Sequence, residues 1–359
     1  GIDGTLYPVP GGTAAAVAAR RAGISNVLAP TATAREAACV PGIDARAAEH
    51  LAAVLRHLAS TERPLAPVSP PETAPGDDGH QQRHGPSLDE VRGHPAAKLA
   101  LAAAAAGGHA VLLFGPPGTG KSMLARGLVR LLPPPDRDER VDITAVLSAV
   151  GQWPGGLVSE RPFRAPHHTA SDAGIVGGGP HLSPGEITLA HGGVLFLDEL
   201  PEFRRTSLEA LRQPLETGEV QLARATRRVT APARFRLVAA MNPCPCGYLG
   251  HPRVGCRCSR AQVQRYRRRI SGPLLDRIEL RVEVPSPGVG GLAEGQHDAE
   301  DPSRDCQDRS PSPSERDLVR SIERAASLRA ARRQERENAR LSSAELDRLV
   351  PLDDPTVAL

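Results

Sequence analysis

Lysine is almost missing from this chain of 359 residues: of 44 basic residues, only Lys98 and Lys121 are not arginine. A chain that uses arginine nearly everywhere else keeps a compact ammonium at Lys121, so that position has a chemical reason. Aromatic residues are equally scarce, at 3%, and the cores must be built from Ala, Leu, Val and Ile. No apolar run approaches the ~18 residues of a membrane span and no signal peptide is visible, so the chain reads as cytoplasmic and without a membrane partner. A net charge of +3 is too small to imply nucleic-acid binding by itself; only a local concentration of charge would do so. Cysteine is not spread as a disulfide framework: four of six cluster between Cys244 and Cys258, with Cys39 and Cys306 alone. In a cytoplasmic protein such a cluster favours a metal or a structural role. The chain opens on Gly1 without an initiator Met, which suggests a fragment.

What is there divides into five stretches. Residues 1–60 alternate short apolar strands (Thr5–Val9, Asn26–Ala29) with alanine-rich helices (Thr13–Ala22 and, last, Leu51–His57), a small α/β unit. Residues 61–87 are rich in Pro, Gly and polar side chains, with little to bury, and read as a disordered linker. A main domain covers 88–285 and opens with Ser87 and Glu90 at capping-box spacing. A second Pro/Gly/Asp-rich linker spans 286–313. An Arg/Glu-rich helix from about Ser314 to Ala339 then begins the last stretch, 314–359.

The segment HAVLLFGPPGTGKSMLARGLV is an apolar strand, a glycine-rich loop and a helix. Gly115, Pro116, Pro117, Gly118, Thr119, Gly120, Lys121 and Ser122 match the P-loop pattern in its strand-to-helix context, with Met123 next in the helix. Backbone N–H groups of such a loop turn inward around phosphates, and the helix N-terminus adds its dipole. Lys121 is placed for the β/γ-phosphates and Ser122 for Mg²⁺. Further on, GGVLFLDELPEF delivers Asp198 and Glu199 at the end of an apolar strand. Ligands in open α/β sheets bind at the carboxyl ends of strands, so Asp198 is placed to hold Mg²⁺ and Glu199 to polarise water. An acidic pair after a strand is a common surface turn, and the P-loop is what lends this one meaning. A third strand, RFRLVAAMNP, ends in Asn242, which can position water against the γ-phosphate or simply make an Asn-Pro turn. Arg277 in SGPLLDRIEL is a candidate arginine finger acting in trans. Read without context, it is an ordinary surface arginine.

With RPFRAPHHTASDAGIVGGGPHLSPGEITLAHGGVLFLDELPEF, RFRLVAAMNPCPCGYLG and RYRRRISGPLLDRIELRVEVP, the chain closely resembles the magnesium-chelatase-like AAA+ ATPases of the ComM/YifB subfamily over about residues 88–285. The resemblance implies an α/β fold with an AAA+ P-loop core, homohexameric rings, and the roles assigned to Lys121, Ser122, Asp198, Glu199, Asn242 and Arg277. In that family the motor is associated with DNA processing, including branch migration in natural transformation. Residues 1–60 are similar to the second half of a Lon-protease-like domain. They contain no lysine, so no Ser–Lys peptidase dyad can come from them. The stretch 314–359 corresponds to the start of a helical lid, with the chain ending before a second sensing arginine.

Two features bear on a DNA partner. ETGEVQLARATRRVTAPARF reads as a hairpin turning near Arg224–Thr226, where helicase-type relatives place a pore hairpin, and Arg224, Arg227 and Arg228 are candidate phosphate contacts. Residues 251–270 hold seven arginines and no acid, a patch suited to counterion release or, alternatively, a solvated or inter-subunit surface. Cys244, Cys246, Cys256 and Cys258 form two C-x-C pairs, a set for tetrahedral Zn²⁺ or else reduced structural thiols. His167 and His168 could pair on a metal, but no partner ligand is visible in the sequence, and a loop beside the pore or the nucleotide is the better reading. The readings left open are a DNA translocase or helicase, a protein-remodelling or metal-chelatase-type motor, and an ATP-binding scaffold with impaired turnover.

Overall fold

The computed structural model describes residues 1–59, 65–71, 85–179, 182–224, 227–286, 312–334 and 336–349. The alanine-rich opening forms helix α1 (Gly12–Arg21), strand β1 (Asn26–Ala29), helix α2 (Thr31–Ala38), strand β2 (Asp44–Ala47) and helix α3 (Leu51–Ala59). β1 and β2 pair in parallel, from Asn26 opposite Asp44 to Ala29 opposite Ala47. The strand expected at Thr5–Val9 does not form. Pro8 and Pro10 carry no N–H for a ladder, the Val9 N–H goes to Thr33 Oγ1 at 3.2 Å, and only Thr5 makes a bridge, to His50. β2, which carries no β-branched residue, was not expected. Part of the first expected linker is docked on it: the Val68 N–H donates to Ala45 O at 2.8 Å, and Arg46 reaches Leu65 O at 2.8 Å. The rest of that linker, apart from residues 69–71 and 85–87, and nearly all of 286–313 lie outside the described residues.

In the larger unit Glu90 accepts the Ser87 N–H at 3.1 Å, but this closes a turn and not a helix. Gly93 and His94 are left-handed (φ 69° and 59°), and helix α4 (Pro95–Gly107) starts with proline in its first turn. Strand β3 (Val111–Phe114), the glycine-rich loop and helix α5 (Lys121–Leu131) follow, then α6 (Arg137–Ala149), β4 (Phe163–Arg164), α7 (Asp172–Val176), the short pair β5 (Gly177–Gly178) and β6 (Ser183–Pro184), α8 (Glu186–Leu189) and β7 (Val194–Leu197). Helices α9 (Arg205–Ala210) and α10 (Arg212–Thr217) lead to the expected hairpin, β8 (Glu219–Arg224) and β9 (Arg227–Pro232). β10 (Arg236–Met241), α11 (Arg260–Arg267), α12 (Gly272–Leu275) and β11 (Leu280–Glu283) complete the unit.

The central sheet has the order β11-β3-β10-β7-β4, and every pairing is parallel. Because helices cover both faces, its strands are continuous apolar runs whose side chains alternate between two cores. Val194, Phe196, Val238 and Ala240 pack with Leu101, Leu124 and Leu128 on one face. Leu195, Leu197, Leu237 and Ala239 pack with Ile187, Leu208 and Leu211 on the other. Each fully buried leucine contributes about 1.5–3 kcal/mol, which is how a chain nearly free of aromatics holds this sheet. The order puts β10 between β3 and β7. The glycine-rich loop, Asp198 and Asn242 therefore leave the carboxyl ends of three adjacent strands.

The two units share packing. Val141 of α6 lies in one buried cluster with Ala16, Val17 and Ala37, and Ser148 accepts the Thr13 N–H at 3.2 Å while donating to Glu36. The last expected helix is shorter than its pattern: α13 (Glu315–Ala331) stops where Arg333 turns left-handed at φ 51°. Its Leu318 and Ile322 belong to the same core as Leu101 and Leu124. Beyond it, Glu337 pairs with Arg236 at the amino end of β10, and helix α14 (Ser343–Leu349) follows. No helix among the described residues is long and apolar enough to cross a membrane.

Candidate active site

The P-loop leaves β3 at Gly115, whose N–H donates to Met241 O at 3.2 Å. A Cβ on Gly115 would stand 2.0 Å from Val284 O just beyond β11, so only glycine lets the loop start there. Gly118 and Gly120 have φ of 75° and 83°, which L side chains rarely adopt. Thr119 donates to Pro116 O at 3.1 Å, closing the turn from within. Lys121, the first residue of α5, is buried, and its ammonium donates to Gly115 O (2.8 Å), Pro116 O (2.6 Å) and Asn242 Oδ1 (3.4 Å). Burial pushes its pKa down, while the nearby Asp198 carboxylate opposes that. Ser122 donates to Asp198 Oδ2 at 2.9 Å. Met123 is exposed beside it.

Asp198 Oδ1 accepts the Glu199 N–H at 2.9 Å. Glu199 is itself left-handed (φ 53°), a costly conformation for this residue type, and its carboxylate meets His168 Nδ1 at 3.2 Å. Lys121, Ser122, Asp198, Glu199 and Asn242 are thus one constellation. The hydroxyl of Ser122 and the carboxylate of Asp198 are adjacent hard-oxygen ligands of the kind Mg²⁺ takes. His168 lies against the constellation because β4, which pairs in parallel with Val194 and Leu195, runs to the same end of the sheet. No sequence spacing reveals that neighbour; only the strand order does. His167 turns aside to Thr169 Oγ1, at 2.8 Å.

Arg277 is not part of this cluster. It is paired with Glu216 at the end of α10 and hydrogen-bonded to Pro273 O. In the hairpin, Arg224 opposes Arg227 and Ala223 opposes Arg228. The side chains of Arg224 and Arg227, and the turn residues 225 and 226, lie outside the described residues; Arg228 is exposed. Part of the arginine patch lines a cleft of about 530 Å³, where Arg265, Arg268 and Arg269 join Glu202, Phe203, Arg204 and Arg205, and Arg269 is paired with Glu202. Arg204 and Arg205, at the start of α9, have no motif to announce them.

The four cysteines converge. Cys244 Sγ lies 3.4 Å from Cys246 and 3.6 Å from Cys256, Cys246 lies 3.6 Å from Cys256, and with Cys258 all four sulfurs fall within 4.8 Å of one another. The backbone N–H groups of Tyr248 and Arg257 draw the Cys246 thiol down to about 6. Cys258 receives an N–H from Cys246, yet burial and the neighbouring sulfurs push it up to about 12. The turn that follows Cys246 touches the nucleotide loop: a Cβ on Gly247 would stand 2.8 Å from Pro117 Cδ.

A family profile described as magnesium chelatase, subunit ChlI, matches residues 87–290. This chain belongs to the magnesium-chelatase-like AAA+ ATPases. Within them it falls with the ComM/YifB proteins. The uncharacterized protein YifB of Salmonella typhimurium is 42% identical over 357 residues, covering 97% of this chain and 64% of its own length. Competence protein ComM of Haemophilus influenzae is 43% identical over 298 residues, covering 81% of this chain and 56% of its own. The magnesium-chelatase 38 kDa subunit of Cereibacter sphaeroides is 27% identical over 196 residues, 49% of this chain and 51% of that one. The chain therefore spans roughly three fifths of the length of its ComM and YifB relatives. The family and the parallel sheet make it an ATP-binding P-loop ATPase of α/β fold, a class that works with ATP and Mg²⁺.

Proposed function

We propose that this chain is the motor part of a ring-forming ATPase that hydrolyses Mg-ATP to move along or remodel DNA. The observation that carries the ATPase half is the joined set of Lys121, Ser122, Asp198 and Asn242 at three adjacent strand ends. Bound Mg²⁺, held by Ser122 and Asp198, would neutralise charge on the β- and γ-phosphates. Lys121 exchanges its loop carbonyls for phosphate oxygens. Asn242 and Glu199 orient water for in-line attack, with Glu199 drawing on the proton. Arg277 leaves Glu216 to reach the phosphates of a neighbouring subunit, which gives a homohexamer a reason to assemble.

For DNA, support comes from the hairpin with arginine at its tip, from the cleft lined by five arginines against one acid, Glu202, and from a relative named as a competence protein. Polyphosphate binding by such a surface gains affinity from counterion release and weakens steeply with salt. Residues 1–60 fit as part of a Lon-protease-like domain without peptidase chemistry, residues 61–87 and 286–313 as connecting segments, and residues 314–359 as the approach to a lid.

The test is ATP hydrolysis with and without forked or single-stranded DNA. DNA should stimulate turnover, Lys121→Ala should remove both nucleotide binding and turnover, and Glu199→Gln should keep binding while turnover falls by about 10²–10⁴-fold. Turnover indifferent to DNA would transfer the motor to protein remodelling or metal insertion, the work implied by the name of the magnesium-chelatase relatives. Binding without turnover would make the chain a scaffold.

A further inference from the structure

Between Asn242 and α11 the chain runs through residues 243–259 with no helix or strand, and from Cys244 to Ser259 only Cys244 and Gly247 are buried. Leu249 and Val254, its large apolar side chains, are exposed. A loop of this length with no core of its own is uncommon in a compact domain and needs another source of order. Its backbone supplies two turns, Gly247 N–H to Cys244 O at 3.0 Å and His251 N–H to Tyr248 O at 3.1 Å. The His251 ring closes the middle of the loop, its Nδ1 accepting the N–H groups of Arg253 (3.1 Å) and Val254 (3.0 Å), and the sulfurs join its two ends.

The sulfur geometry suits one ion. Tetrahedral zinc at Zn–S of about 2.3 Å requires S···S edges of about 3.8 Å. Three of the edges here are 3.4, 3.6 and 3.6 Å, far from the ~2.05 Å of a disulfide, and all four sulfurs lie within 4.8 Å of one another. A set so compact holds one metal centre and not a multi-iron cluster. N–H groups point at the sulfurs as well: Cys258 N–H donates to Cys256 Sγ at 3.4 Å. Such bonds orient thiolate ligands.

The loop also touches the reaction machinery on both of its sides. Asn242 stands two residues before Cys244. At Gly247 (φ 85°) the backbone comes so near that an added Cβ would lie 2.8 Å from Pro117 Cδ and 3.9 Å from Asn242 Cγ. Directly after Cys258, Ser259 and Gln262 form a complete capping box that starts α11. From α11 the buried Tyr266 is hydrogen-bonded to the Asn242 backbone, and Arg267 reaches Pro243 O at 3.4 Å. Cys244–Cys258 is the clasp that holds the P-loop, the Asn242 turn and the start of α11 together.

We infer that Cys244, Cys246, Cys256 and Cys258 bind one structural Zn²⁺, and that this ion positions Asn242 and Pro117, so that nucleotide turnover depends on the metal. Its consequence for turnover rests on the ATPase reading above; the metal content does not. Zinc here has no open coordination position and does no chemistry on ATP.

The experiment begins with metal analysis of the purified chain, expected to give one zinc per chain. Replacement by Co²⁺ should produce the intense thiolate-to-cobalt and d–d absorption of a tetrahedral all-sulfur site. Cys246→Ser with Cys256→Ser should lose the zinc and lower ATP turnover by at least about tenfold. Cys258→His keeps four ligands of an accepted zinc set and should retain both, which separates loss of metal from damage by substitution. Zinc withdrawn from the unaltered chain by a chelator should reproduce the loss, and added zinc should restore it. Absence of stoichiometric metal in an active ATPase would overturn the site. Zinc that can be removed with turnover and ATP affinity unchanged would overturn its link to Asn242 and Pro117. A zinc-loaded chain with the cobalt spectrum but no turnover at all would instead refute the ATPase reading and leave only the metal site standing.

Discussion

At Gly115 a single hydrogen atom in place of a side chain decides whether the phosphate loop can begin. Val284 O stands 2.0 Å from where a Cβ would be, and both partners are backbone, so neither can rotate away. Gly115→Ala is expected to cost about 3 kcal/mol in denaturant unfolding and to weaken ATP binding, since relief requires the loop or the end of β11 to shift. The same measurement on Gly250→Ala is a useful contrast. That glycine meets nothing within 4 Å, so any cost there reflects only its φ of 80°. Glu199 illustrates the opposite device. It is a non-glycine residue held left-handed, with its N–H on Asp198 and its carboxylate on His168, at the position proposed to activate water.

Among the elements, α13 is docked by one carboxylate. Glu315 is buried and accepts from the Ser87 hydroxyl (2.8 Å), the Leu88 N–H (2.9 Å) and Arg130 (3.0 Å), while its own N–H donates to Asp89. Burial pushes its pKa up, but the donated bonds from Leu88 and Ser87 and the Arg130 charge outweigh that and hold it below the ordinary carboxylate value. A carboxyl lowered on folding stabilises fully above its unfolded value of about 4.3 and loses that contribution as pH falls through the folded value. Glu315→Gln should therefore flatten the acid limb of the stability profile below that pH. At neutral pH it should cost on the order of 2 kcal/mol, because Arg130 loses its charged partner. An unchanged acid limb in the variant would remove Glu315 from this role.

For the whole molecule, the small α/β unit and the larger unit should unfold as one body, because α6 contributes Val141 to a core otherwise made by α1, α2, Val40 and β2. Trp153, the sole tryptophan, lies two residues beyond Gly151, where an added Cβ would stand 3.7 Å from Pro10 of the small unit. Its fluorescence and the far-ultraviolet circular dichroism should change together in denaturant, as a single cooperative transition requires. Val141→Ala should shift both by the same amount, about 2 kcal/mol. A fluorescence change that precedes the loss of helix would mean that the first unit separates before the second unfolds.

Local patterns were legible wherever the physics is local. The P-loop needs glycines, a lysine and a hydroxyl at set spacing between a strand and a helix. The β8–β9 hairpin needs alternation about a turn, and β7 and β10 need short apolar runs, so all were readable from residues in sequence. The Thr5–Val9 stretch misled because its apolar pattern outweighed the missing donors of Pro8 and Pro10. The helix expected through Ala339 ended early at Arg333, because its charge pattern runs past the point where the backbone turns left-handed. Tertiary structure alone decided which strand ends stand side by side. The order β3-β10-β7-β4 brings Asn242 to Lys121 and His168 to Glu199 across separations that no periodicity spans. It also closed two C-x-C pairs into one site against Pro117, and it set Arg277 on Glu216 instead of leaving it free. The sequence by itself determined the chemistry each segment can offer, because that depends on residue type and short-range geometry. The packing of the parallel sheet determined which of those chemistries meet, because register and strand order are settled by burying both faces at once.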